Sequence, residues 1–220
     1  MSKVALAEKP SSKQVVQIAA PNLKTVEFQL IGTSPLVQLR FSQKAMNAMM
    51  DKMRAGSQAK GKKVREARNF DDDFIQAQHI SNEGWIGIPA GSIRAAMISA
   101  CRLVGFRMTL AKLSVFVEQD GLDKVDGVPL IRIYGGEPEK NIMAVRNQTG
   151  VADIRCRPMW KEWELKPRIR FDEDQFSITD ISNLLMRVGL QVGLGEGRPD
   201  SRESCGLGWG CFKLGDKQEK

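Results

Sequence analysis

Residues 25–31, T-V-E-F-Q-L-I, place Val26, Phe28 and Leu30 at every second position, the period of a strand with one buried face. Ser42 then stands where a helix cap is expected, ahead of Ala45, Met46, Met49, Met50 and Met53 on one helical stripe. Methionine fills irregular apolar gaps, so this stripe reads as core or interface packing. Residues 85–92, W-I-G-I-P-A-G-S, run from a short strand into a turn, with Ser92 placed to cap the next helix. That helix carries Ile93, Ala96, Met97, Ala100, Cys101 and Val104 on one face, and Arg94 and Arg102 on the other. Leu113, Val115 and Val117 alternate as a second strand, and Trp163, Leu165, Ile169 and Phe171 as a longer one. Between these two, β-like pieces at 130–134 and 142–145 predict an inserted hairpin region. Thr179 or Asp180 is expected to cap a helix with Ile181, Leu184, Leu185, Val188 and Val192 on its apolar face. A glycine-rich loop and a last strand, W-G-C-F-K-L, complete the pattern.

The order is strand, insertion, helix, strand, insertion, strand, helix, loop, strand. Without the insertions it reduces to βαββαβ, so the predicted class is α+β: a ferredoxin-like (RRM-like) palm with two inserted segments and a C-terminal glycine-rich loop. The layout expected is a polar N-terminal arm over 1–24, one domain over 25–214 and a tail over 215–220. The insertions fall at about 35–84 (basic, thumb-like) and 119–160 (β-rich). Such a palm hosts many functions, and the chemistry must come from particular residues.

Charge narrows the partners. Lysine and arginine number 33 against 26 acids, a net charge of +7, which favours an anionic partner such as nucleic acid or an acidic membrane. No apolar run reaches the roughly 18–20 residues of a membrane span. Between residues 51 and 70, Lys52, Arg54, Lys60, Lys62, Lys63, Arg65 and Arg68 crowd against only Asp51 and Glu66. Glycines and small polar residues interrupt any helix there, which predicts a basic loop: an arm that neutralises phosphates, or a solvated charge run. The loop at 192–214 joins Gly193, Gly195, Gly197, Gly206, Gly208 and Gly210 to Arg198 and Arg202, a composition that lets backbone approach a phosphate. Cys101, Cys156, Cys205 and Cys211 form no C-x-x-C pair and His79 is the one histidine, so no metal or cofactor is expected. The thiols read as reduced, in a cytoplasmic protein. Trp85, Trp160, Trp163 and Trp209 read mostly as core.

Three segments, in order, carry a resemblance: T-S-P-L (33–36) after the early strand, I-P-A-G-S-I-R-A-A-M (88–97), and the loop G-L-G-E-G-R-P-D-S-R-E-S-C-G-L-G-W-G (193–210). The chain resembles the RAMP superfamily, in particular the guide-RNA-binding backbone subunits of CRISPR effector complexes, or a stand-alone phage or mobile-element relative of them. The resemblance implies a ferredoxin-like palm, a thumb-like insertion and copies stacked side by side along single-stranded nucleic acid, RNA favoured over DNA. It places Ser92, Arg94, Arg198, Arg202 and the loop glycines beside the strand's backbone, where the free N–H groups of a helix start suit phosphate. The loop departs from the family in its acids Glu196, Asp200 and Glu203, which are able to pair with those arginines. The function expected is non-catalytic binding, in a bacterial or phage-infected cytoplasm. Some relatives cleave RNA with a histidine or an aspartate between the first strand and first helix. Asp71, Asp72, Asp73 and His79 lie there, so an RNA endonuclease is the alternative. A further alternative is a protein-interaction subunit that mimics a CRISPR backbone piece and docks through its methionine face.

Overall fold

The computed structural model describes residues 19–56, 67–146, 150, 152–201 and 206–215. Strands β1 (Leu23–Glu27) and β2 (Leu30–Gly32) follow each other with only Phe28 and Gln29 between them. Late in the chain β11 (Trp163–Leu165) and β12 (Arg168–Asp172) do the same around Lys166 and Pro167. β12 pairs antiparallel with β1, and β11 with β2, in one unshifted register from Leu23 opposite Asp172 to Ile31 opposite Glu164. Each strand expected as continuous is therefore split in two, yet both breaks leave the ladder aligned. Pro167 has no N–H to give, and its carbonyl accepts from Phe28 N–H at 3.0 Å across the gap.

β13 (Phe212–Leu214) pairs with the outer edge of β2, and β6 (Val115–Glu118) with the outer edge of β12. The last strand is shorter than W-G-C-F-K-L, because Trp209 and Gly210 belong to a turn. Leu113 is likewise not in a strand: α4 (Met108–Ser114) occupies that stretch, and the alternation begins only at Val115.

Helices α3 (Ala90–Ala100) and α5 (Ile178–Arg187) bury the predicted faces except Val104, which lies in the turn after α3 and is exposed. Ile93, Met97, Ile181, Leu185 and Val188 meet Leu30, Leu165, Ile169, Phe171 and Phe212 in one apolar core. The caps differ from expectation at both helices. Pro89 ends β5 (Ile86–Pro89) and starts α3 directly, so Ser92 sits inside the first turn and caps nothing. Ser177, not Thr179 or Asp180, caps α5, with Asp180 closing a capping box back onto Ser177 N–H.

The first insertion holds β3 (Leu36–Val37), α1 (Gln43–Ala55), α2 (Phe70–Gln76) and β4 (His79–Ile80). Ser42 caps α1 as predicted, accepting from Ala45 N–H at 3.1 Å. Met49, Met50 and Met53 are exposed, which removes the core reading of the methionine stripe and leaves the interface reading. The second insertion holds β7 (Gly121–Leu122), β8 (Pro129–Gly135), β9 (Glu139–Arg146) and β10 (Ala152–Trp160). The hairpin of this region is β9 with β10, and β10 continues onto β3; β8, the other piece expected there, does not pair with β9. β8 joins β11 to β5, so the insertion is bonded into the main sheet. The molecule is α+β, built on antiparallel sheets. Among the described residues no helix is long and apolar enough to cross a membrane. Trp160 and Trp163 are core, whereas Trp85 and Trp209 are half-buried.

Candidate nucleic-acid interface

The loop after α5 does not hang free. Glu196 N–H donates to the Val37 carbonyl (2.8 Å) and Gly210 N–H to the Pro35 carbonyl (2.8 Å), which lays it along the strand entering β3. Leu194 N–H closes it on the Gly210 carbonyl at 3.0 Å. Gly193, Gly195, Gly197, Gly206, Gly208 and Gly210 all have positive φ. At Gly195 the requirement is also spatial: a Cβ there would stand 2.4 Å from the Val37 carbonyl oxygen.

Between this loop, β3, β5 and the start of α3 lies a cavity of about 390 Å³. Its apolar wall includes Leu36 and Ile88; its polar lining includes His79, Ser92, Ser99, Glu196, Arg198 and Asp200. The first turn of α3 has no side-chain cap and no acidic residue, so its N–H groups leave a partial positive charge beside Ser92.

Two carboxylates on the cavity wall are already engaged. Asp200 accepts from Ser99 Oγ and from Arg102 (2.8 Å), tying the loop to α3. The Ser99 hydroxyl, with Arg102 behind it, holds the Asp200 carboxyl below the usual carboxylate range. A depressed folded value stabilises the fold above the unfolded value, and that contribution is lost as pH falls through the folded one. Ser99→Ala is expected to move the Asp200 titration upward, read by carboxyl NMR. An unmoved titration would rule out the latch.

Glu196 takes Arg155 at 3.3 Å and Arg157 at 3.4 Å, both from β10. Arg157 is only 2% exposed and its guanidinium lies 5.5 Å over the Trp209 ring; burial pushes its pKa down. Among the described residues its Nε finds no acceptor. Sequence reading passed over both arginines, although R-C-R at 155–157 on a strand puts them on one face. Arg198 donates to the Gly195 carbonyl at 2.9 Å and makes no ion pair with a carboxylate among the described residues.

Of the residues expected at the strand, Ser92, Gly193, Gly195 and Arg198 meet at this cavity. Gly197, Gly206 and Gly208 belong to the same loop but are not among the cavity's lining residues. Arg94 does not reach it. Its guanidinium donates to the Val115 carbonyl (2.8 Å) and the Lys112 carbonyl, and lies 4.9 Å from the Phe116 ring. Arg68 is held by Asp73 (2.7 Å) and Asp153 (2.9 Å), pairing that favours its charged form. Lys52 and Arg54 are exposed in the last turn of α1. Lys60, Lys62, Lys63, Arg65 and Arg202 lie outside the described residues, as does Glu203.

Asp71, Asp72 and Asp73 form the first turn of α2, which Asn69 caps; Lys140 pairs with Asp71. His79 stands apart from them. Its Nδ1 is 2.8 Å from the buried Asp123, and Asp126 completes a cluster whose ligand atoms lie within 4.8 Å of one another. Arg40 reaches Asp123 at 3.4 Å and Asp126 at 3.0 Å. The guanidinium supplies the positive charge that a cation would bring, and the set reads as a structural ion-pair network. Cys101, Cys156 and Cys211 carry free thiols. No protein-family model matches this chain, and a comparison with curated proteins finds no match either.

Proposed function

We propose that this chain is a non-catalytic binder of single-stranded nucleic acid, RNA favoured over DNA, on a ferredoxin-like palm of the RAMP kind. One observation carries the reading: the uncapped start of α3, the glycine loop and Arg198 converge on one cavity. Backbone N–H groups, a hydroxyl and a guanidinium with no ion pair among the described residues are the donors that phosphate oxygens take. The palm is supported by two ladders in one shared register, β13-β2-β11 and β1-β12-β6, with α3 and α5 in the connections between their strands. Free thiols agree with a reducing cytoplasm, bacterial or phage-infected, as its place of work. Copies lie side by side along the strand in this reading.

The test is fluorescence anisotropy with labelled single-stranded RNA, single-stranded DNA and duplex at several salt concentrations. Log K is expected to fall with log salt by about 0.7 for each phosphate neutralised. Arg198→Ala should weaken binding about tenfold and lower that slope by about one contact's share. Arg94→Ala should leave the slope unchanged, because Arg94 faces Lys112 and Val115 instead of the cavity. Absent binding, or an equal loss from both variants, would overturn the site.

A second reading, cleavage of the bound RNA, rests on His79 alone. It lines the cavity while Asp123 holds its Nδ1, the way a carboxylate orients an imidazole for proton transfer. RNA left intact after long incubation with magnesium or manganese would remove it.

A further inference from the structure

The cavity is larger than a phosphate needs. It measures about 390 Å³, within the range of about 300–1,000 Å³ common to pockets for small organic ligands. A phosphate group has few heavy atoms and displaces only about two or three waters, at about 30 Å³ each. It also has no use for an apolar wall, yet Leu36, Ile88 and Leu194 supply one.

The polar groups divide by kind. The donors are the first N–H groups of α3, Ser92 and Arg198. The acceptors are Glu196 and His79, and both flank the end of β3. Glu196 N–H donates to the Val37 carbonyl (2.8 Å), and His79 N–H to Gln38 Oε1 (3.2 Å). Arg155 and Arg157 both bond Oε1 of Glu196, so its Oε2 has no partner among the described residues. His79 is only 9% exposed, and its Nδ1 lies 2.8 Å from Asp123 Oδ2. The other Asp123 oxygen takes Val125 N–H (2.8 Å) and faces Arg40 (3.4 Å), so this carboxylate acts as an acceptor on both sides. Nδ1 of the neutral ring therefore carries the proton, and Nε2 is left as an acceptor without a partner among the described residues. His79 stands opposite Gly87 on β5, and α3 begins after Pro89, about 7 Å further along that strand. A nucleotide separates its phosphate from its base edge over a comparable span.

We propose that the cavity takes one whole nucleotide of the strand and selects a base with an exocyclic amine. The phosphate lies at the start of α3, and the amine donates to His79 Nε2 and Glu196 Oε2. The inference rests on the proposed function and names the substrate class of that site. Adenine and cytosine present an amine on the edge that an unpaired base offers; uracil presents a carbonyl there, which sets acceptor against acceptor.

Anisotropy at pH 8 with labelled single strands of A, C or U, equal in length, reads the selection. A and C strands should bind about five- to tenfold tighter than U, the worth of one such hydrogen bond. The salt slope should be the same for all three, because the phosphates are the same. Purine riboside is adenosine without its amine and keeps the stacking ring, so a strand of it should fall to near the affinity of U. His79→Phe keeps a flat ring, removes Nε2 and should erase the preference for A over U. Should that variant fail to fold, purine riboside decides alone. Affinity for A and C equal to or below that for U would overturn the inference and leave the binder reading standing. So would a purine riboside strand that binds as tightly as A, or a folded His79→Phe that keeps the full preference. Binding to no strand would remove both.

Discussion

Gly210→Ala is expected to destabilise the protein by about 2–5 kcal/mol and to abolish binding at the cavity. Two costs add. Gly210 has φ +71°, and a left-handed conformation costs a residue with a Cβ about 1–2 kcal/mol. A Cβ would also stand 1.8 Å from the Leu194 carbonyl oxygen and 2.7 Å from the Leu194 nitrogen, where only backbone movement gives relief. Forcing a group into packed surroundings adds about 1–3 kcal/mol. The movement breaks the pair that closes the loop, because Leu194 N–H is bonded to the Gly210 carbonyl. Gly208 supplies the control: its φ is +73° but none of the described residues lies within 4 Å of its would-be Cβ. Gly208→Ala should therefore cost only the conformational part, about 1–2 kcal/mol. Urea unfolding of the two variants separates the terms, and equal losses would mean that the close approach to Leu194 is not what closes the loop.

Glu196→Ala should cost about 2 kcal/mol, whereas Arg157→Met should fall within about 1 kcal/mol of wild type. The asymmetry follows from burial. Arg157 is nearly sealed from solvent, and Glu196 is its carboxylate partner. Removing Glu196 strands a buried guanidinium, while removing Arg157 leaves a carboxylate that is one-third exposed and still paired with Arg155. A methionine of similar length fills the space against Trp209 and Met143 without a charge to compensate. The double variant should recover most of the Glu196→Ala loss, a coupling of about 1–2 kcal/mol in a double-mutant cycle. Strict additivity would show that the two side chains do not depend on each other.

Much of this architecture is readable from spacing, because burial imposes a period on the chain. Ile93 to Cys101 and Ile181 to Val188 follow the helical repeat, and both helices bury those residues. Val26, Phe28 and Leu30 alternate, and so do Ile169 and Phe171, in strands that share one register across their breaks. Local signals misled where two readings fit the same residues. Ser92 has a cap's composition, but Pro89 starts the helix before it. Leu113 extends an alternation that a helix overrides.

The amino-acid sequence by itself determined the α+β class, the two buried helix faces, the glycine loop and the excess of positive charge, all of which depend on residues near one another in the chain. Only the tertiary structure decided which charges are free. Arg94 and Arg198 look alike in sequence, yet one is spent on the carbonyls of Lys112 and Val115 while the other stays at the cavity, with no ion pair to a carboxylate among the described residues. Arg155 and Arg157 became part of the site because β10 lies beside a loop some 40 residues further on. A guanidinium's partner is whatever folding brings within about 3 Å, and no spacing rule along the chain encodes that.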